Sequence, residues 1–269
     1  MSLAETKITT FDVLRLGRAR YQPVWEMQRR IQAERIASIE EGREQDVPDR
    51  LILVEHEPVF TYGKRAKAAN LGGGPEALRA LGADVFEVER GGDVTFHGPG
   101  QLVAYPIAYL GNLSCGKDLH KYMRGLEEVV LRVLADYGYH GQRVAGITGV
   151  WVDVNSEFKI QNSKLEADAN PGDDSNPKSK IQNPKSEAPD SQLAKVAAMG
   201  TRVSKWVTLH GLALNVTDEP LRWFSHITPC GIADKGVTSL QSLLGYAPPM
   251  REIEDRLVHH FGRVFGMPG

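Results

Sequence analysis

A thiol in a turn, a lysine among small residues and a glycine-rich loop between two cationic side chains are the segments best suited to chemistry. Cys230 stands in Thr228-Pro229-Cys230-Gly231, where proline and glycine predict a turn and not a core strand. A thiol of pKa ~8.5 is only about 3% thiolate at pH 7. A neighbouring cation, or an amine acting as base, would raise that fraction and make the sulfur a nucleophile. Lys195 opens the run Lys-Val-Ala-Ala-Met-Gly200. Small apolar neighbours would desolvate its ammonium and lower its pKa toward the range of a working base. Each has a plainer alternative. A single cysteine is usually a small buried apolar residue, and a strand-end lysine is usually hydrated. Cys115, beside Gly116 and ahead of a helix, fits the plain alternative better.

The loop is Arg90-Gly-Gly-Asp-Val-Thr-Phe-His-Gly-Pro-Gly-Gln101. Gly91 and Gly92 would permit positive φ and a close backbone approach to a ligand. Val94 and Phe96 alternate with Thr95 and His97, which predicts a strand after the glycine pair. Pro99-Gly100 suits the centre of a type II turn. The pattern is neither the dinucleotide nor the P-loop fingerprint. A bare turn between strands is the alternative; Arg90 and His97 favour a binding site. His210-Gly-Leu-Ala213 is a second kink of small residues, and His210 alone fits a hydrogen-bonded structural histidine equally well. No His, Cys, Asp or Glu cluster has metal-ligand spacing, and His259-His260 reads as helix surface.

These groups need elements to hold them. Met27, Ile31, Ile36 and Ile39 predict a helix over 25–42. Leu119, Tyr122, Met123, Leu126, Val129, Val130, Val133 and Leu134 predict another over 117–137. A brief helix is expected over 75–81, one capped by Thr238 and running to Leu244, and a last one over 250–264. Strands are expected at 51–54, 85–89, 94–96, 101–109, 150–154 and 207–216, the last bent near Gly211. Strands and helices do not alternate strictly, which favours a mixed α+β sheet over a doubly wound parallel one. From Gln161 to Gln192 the apolar residues are confined to Leu165, Ala167, Ala169, Ile181 and Ala188, too few to offset the entropy of ordering. That segment overlaps two similar nonamers, KIQNSKLEA from Lys159 and KIQNPKSEA from Lys180, too polar for a solenoid.

The chain has 269 residues with 41% apolar and 25% charged content, which is ordinary for a globular protein. With 32 basic and 34 acidic residues, it is no global nucleic-acid or polybasic membrane binder. The longest apolar stretch, Leu102 to Leu110, is broken by Pro106 and too short to span a membrane. Two cysteines without CxxC spacing exclude a disulfide scaffold, and no secretory signal is evident at the N-terminus. A reducing cytoplasm is the expected location.

Taken together, the segments resemble one family, the lipoyl(octanoyl) transferases. The resemblance is carried by RGGDVTFHGPGQLVAYPI from Arg90, GVWV from Gly149, KVAAMGTRVSKWVTLHGLALNV from Lys195 and HITPCGI from His226. LVEHEPVFTYG, from Leu53, is similar to the family's N-terminal block. The order matches, and the blocks span nearly the whole chain outside the polar segment. The resemblance implies a fold like the catalytic domain of biotin and lipoate protein ligases. That is an α+β mixed sheet packed by helices, with a smaller second sheet. It implies one acyltransferase catalytic domain over residues 1–269, carrying a disordered polar insertion at about 156–192. It implies transfer of an octanoyl group from octanoyl-acyl carrier protein to the lysine of lipoyl domains. Those acceptors are the domains of 2-oxoacid dehydrogenase complexes and the glycine cleavage H protein.

By the same resemblance Cys230 is the acyl-thioester nucleophile and Lys195 its general base and acid. Arg90, Gly91, Gly92, Asp93, Val94, Thr95, Phe96 and His97 would line the acyl site with Ala198, Met199, Gly200, Gly211, Leu212 and Ala213. No cofactor and no metal are expected, because a thioester arrives activated. The enzyme is expected to act as a monomer, without nucleic acid or membrane. A local basic patch at Lys64, Arg65 and Lys67 is expected to steer an acidic carrier. The competing readings are an ATP-dependent lipoate or biotin ligase, a thioesterase using water as acceptor, and a non-catalytic binder of carrier or lipoyl domains.

Overall fold

A computed structural model of the chain describes residues 11–64, 66, 70–155, 192–227 and 236–266. Its centre is a mixed sheet in the order β1 (Phe11–Ala19), β2 (Asp49–His56), β6 (Gln101–Ile107), β10 (Val207–Asn215), β9 (Leu193–Ser204), β8 (Ile147–Asp153) and β7 (Gln142–Val144). β1 and β2 run parallel; every later neighbour along this order is antiparallel. A smaller sheet has the order β4 (Asp84–Glu87), β3 (Val59–Tyr62) and β5 (Val94–His97), with β3 parallel to β4 and antiparallel to β5. The expectation of a mixed sheet with helices and a smaller second sheet is met.

Strand alternation explains the layers. Leu51 and Leu53 of β2, with Leu102 and Ala104 of β6, face α3 (Leu119–Asp136) and α6 (Met250–Phe265). Ile52, Val54, Val103 and Tyr105 face the other way, toward Val24 and Ile31 of α1 (Tyr21–Glu40). The large sheet is therefore apolar on both sides, which accounts for the unbroken burial of β6 and β10. The small sheet packs Phe60, Val85, Val94 and Phe96 against Leu78 of α2 (Pro75–Ala80) and half-buried Phe224 of α4 (Leu221–Phe224).

Some boundaries move. α1 starts four residues before the expected Trp25, because Pro23 needs no amide partner in a first turn. Its buried stripe contains Gln28, Gln32, Arg35 and Ser38, which apolar counting passes over. Ser239, not Thr238, caps α5 (Leu240–Leu244), accepting from the Ser242 N–H at 3.0 Å. Thr238 is engaged elsewhere: its N–H donates to the Lys195 carbonyl at 3.0 Å. β10 bends at His210, which takes φ 61°, one residue before the expected Gly211. Of the glycine pair only Gly92 adopts positive φ. His260 is not free surface; it lies 2.8 Å from Asp136 Oδ2. No helix among the described residues is long and apolar enough to cross a membrane. The polar insertion falls almost wholly outside the described residues, in 156–191.

Candidate active site

A cleft of about 710 Å³ opens between the two sheets under the first half of α3. β9 supplies Lys195, Ala198, Met199 and Gly200 to its wall, and β10 supplies Gly211, Leu212 and Ala213. The loop before β5 contributes Arg90, Gly91, Gly92 and Asp93, and β5 adds Val94, Thr95 and His97. Phe96 alone among the described candidates does not line it. Strand alternation turns its ring into the small-sheet core, stacked on Trp223 at 5.0 Å. Cys230 lies outside the described residues, as do Arg65 and Lys67; Lys64 is exposed. The described residues on either side of the Cys230 segment, Phe224 before it and Gly236 and Val237 after it, line the cleft.

Lys195 is held from several directions. β11 (Gly236–Val237) pairs with β9 so that Val237 is opposite Lys195. On the other side Trp151 of β8 is opposite it, and Nζ lies 4.6 Å from the indole centroid. The Gly149 N–H donates at 3.1 Å to the carboxylate of Glu127, an α3 residue whose other oxygen accepts from Arg124 and Arg143. Glu127 is thus a buried charge with full compensation.

The glycine loop is tied across the cleft: the Gly91 N–H donates to the Thr201 carbonyl at 3.0 Å. Arg90 is buried and donates to Thr61 through Nε and Nη2, so its guanidinium also clamps the loop to β3. Asp93 accepts from the Val94 N–H at 2.8 Å and from Asn70.

A hydrogen-bond chain fixes His97. Asn215 Nδ2 donates to the Thr238 carbonyl at 2.9 Å, which leaves Asn215 Oδ1 to accept from Gln101 Nε2 at 2.8 Å. Gln101 Oε1 must then accept from His97 Nδ1, also at 2.8 Å. The ring is therefore the Nδ1–H tautomer, with Nε2 as the acceptor. Burial first, and the neighbouring His56 second, push the His97 pKa down to about 3. His210 is likewise lowered by burial, opposed by Glu89. Its Nε2 is 3.9 Å from Glu89 Oε2, too far for a hydrogen bond.

Sequence reasoning did not single out Trp151, Glu127, Tyr105 or Asn215 as site residues. Trp151 and Asn215 stand inside quoted motifs and could have been flagged as polar-tipped side chains in apolar strands. Glu127 sits on the inner face of an amphipathic helix, where its class is seldom found. No group of three or more His, Cys, Asp or Glu side chains able to hold a metal ion occurs among the described residues.

The architecture and cleft define an α+β protein of the class in which a glycine loop from a small sheet faces a lysine on a large one. More particularly, the chain belongs to the lipoyl protein ligase A/B catalytic domain family, whose pattern matches residues 21–262. It is 41% identical over 268 residues to an octanoyltransferase of Rubrobacter xylanophilus, covering 98% of each chain. It is 40% identical over 259 residues to an octanoyltransferase of Chloroflexus aggregans, covering 96% of each. Its fold resembles that of a bipartite lipoate protein ligase from Thermoplasma acidophilum, with a TM-score of 0.59 at 13% identity, over 97% of this chain and 85% of that one. The relatives support octanoyl transfer, an acyltransferase reaction, as the activity.

Proposed function

We propose that the chain moves an octanoyl group from octanoyl-acyl carrier protein to a lysine of lipoyl domains, through a thioester on Cys230. One observation supports this reading above the rest. Lys195 lines the same cleft as the described residues that flank the Cys230 segment, and β11 returns from that segment to pair with Lys195. In the first step Lys195 takes the thiol proton, and the thiolate attacks the carrier's thioester carbonyl. The C–S bond to the carrier breaks, and its thiol leaves with the proton from Lys195. In the second step a neutral lysine amine attacks the enzyme thioester; an amide forms and Cys230 recovers its proton. Backbone N–H groups near the cysteine or the glycine loop would stabilise the oxyanion. Ala198, Met199, Leu212 and Ala213 suit an acyl chain, and their apolar character disfavours water as acceptor.

The acceptors on this reading are lipoyl domains of 2-oxoacid dehydrogenase complexes and the glycine cleavage H protein. The enzyme works as a cytoplasmic monomer without a cofactor. The test is intact-protein mass spectrometry after mixing with octanoyl-acyl carrier protein, without ATP or acceptor. Wild type should gain one hydroxylamine-labile octanoyl group, and Cys230→Ala none. Labelling of a lipoyl domain only when ATP and free octanoate are supplied would replace this reading with a ligase.

A further inference from the structure

We infer that Trp151 is a positioning residue that holds the Lys195 ammonium in place over its indole face, with Gly149 leaving room for the lysine stem. The inference rests on the acyl-transfer reading of Lys195 and adds a residue to it. Three observations carry it.

The first is register. Val150 pairs with Ala197, so regular antiparallel pairing would set Trp151 opposite Val196. A bulge intervenes, and Trp151 is opposite Lys195 instead. Bulges re-aim side chains beside functional sites, and this one brings the lysine to the indole.

The second is contact. Lys195 Nζ lies 4.6 Å from the Trp151 ring centroid, well inside the range of a cation–π interaction, and tryptophan provides the strongest ring for it. A Cβ on Gly149 would come within 3.1 Å of Lys195 Cε and 2.9 Å of the Ala197 carbonyl oxygen. The stem therefore passes close to a bare glycine, and its tip reaches an aromatic face.

The third is what Trp151 lacks. It is 2% exposed, and among the described residues it is not part of the apolar clusters on either face of the large sheet or under the small one. Its indole N–H is enclosed with no acceptor among the described residues. A residue kept only to fill volume would do better as phenylalanine or leucine, which carry no donor to strand. The ring's value lies in the face it turns to the cleft, which it also lines.

The test uses the full chain with 13C-labelled lysine, and Lys195→Met assigns the Lys195 signals. Protons on Cε above an indole are shifted upfield by its ring current. Wild type should show this signature, Trp151→Leu should lose it, and Trp151→Phe should keep a weaker version. The rate of octanoyl adduct formation should fall about tenfold in Trp151→Leu, with little change in KM for the carrier, and recover most of its value in Trp151→Phe. A structural role would instead track thermal stability and would not separate kcat from KM. A Lys195 signal without the upfield shift, or a shift that survives Trp151→Leu, overturns the inference. Equal loss of rate in the leucine and phenylalanine variants at native stability does the same. Failure of wild type to form any adduct would overturn the acyl-transfer reading instead; the ring shift would still report whether Trp151 holds the lysine.

Discussion

His56 and His97 lie 6.1 Å apart, ring to ring, both enclosed beside the cleft. His56 Nδ1 donates to the Ala19 carbonyl, so its Nε2 accepts from the Tyr105 hydroxyl at 2.9 Å. Burial lowers His56 to about 4 and His97 to about 3, from an ordinary value of 6.5. Neither ring carries charge at neutral pH, so His97 can accept a hydrogen bond in the cleft but cannot hold a proton there. The unfolded chain protonates both rings below about 6.5 while the folded chain does not, so stability is complete above that pH. It is lost as pH falls through the interval down to the folded values. Each ring contributes about 1.4 kcal/mol per pH unit well below the unfolded value, so the pair should cost about 3 kcal/mol between pH 6.5 and 5. Urea titrations at the two pH values measure this. His97→Asn should roughly halve the loss, and an unchanged loss would show that the ring titrates normally. Residue types of this kind were legible in the sequence: the loop from Arg90 to His97 and the small residues around Lys195 were read as a site. Contacts that depend on register were not, because nothing in the letters GVWV or KVAAM marks the bulge that pairs Trp151 with Lys195.

At the scale of elements, β6 and β10 approach so closely that one position admits only glycine. A Cβ on Gly211 would lie 2.1 Å from the Ala104 carbonyl oxygen and 2.7 Å from Pro106 Cδ. Both neighbours are main chain or fixed ring, so neither can yield without opening the centre of the large sheet. Gly211→Ala should therefore destabilise the protein by about 4 kcal/mol, among the largest effects expected of one methyl group. Chemical denaturation would detect this, and a loss below about 1 kcal/mol would mean that the strands part easily. The bend at His210, just before this contact, places a non-glycine residue at φ 61° in mid-strand, a conformation costing of order 1–3 kcal/mol. Strongly periodic elements were legible: α3 and α6 emerge within two residues of expectation at each end, because apolar side chains recur on one face. β9 was not seen as a strand. Leu193, Val196, Met199 and Val203 fall every third or fourth residue among small and polar ones and do not alternate, so the strand is set by ladders to β8, β10 and β11 and not by its own pattern. β1 escaped for a related reason: it is an edge strand without a fully buried residue.

For the whole molecule, the site depends on chain segments brought together from distant sequence. The small-sheet loop docks on β9 through Gly91, and the chain after Cys230 returns to the same strand through β11. Residues 156–191 interrupt the hairpin between β8 and β9, the one that carries both Trp151 and Lys195. Their anchors are nevertheless tied by the ladder itself: Asp153 pairs with Leu193, and the Val154 N–H donates to the Gln192 carbonyl at 3.2 Å. A hairpin whose ends already meet needs only a short connection. Closing a loop costs entropy that grows with the logarithm of its length. Replacing residues 156–191 with a Gly-Ser tetrapeptide should then stabilise the fold by about 2 kcal/mol. It should leave the rate of octanoyl adduct formation within twofold, because Trp151 and Lys195 stay paired on the same rungs. Thermal melts and adduct kinetics on the shortened chain decide the matter. A stable protein that no longer acylates would mean that the polar segment takes part in binding the carrier. A destabilised one would mean that it packs on the fold despite a composition that, read alone, provides almost nothing to bury.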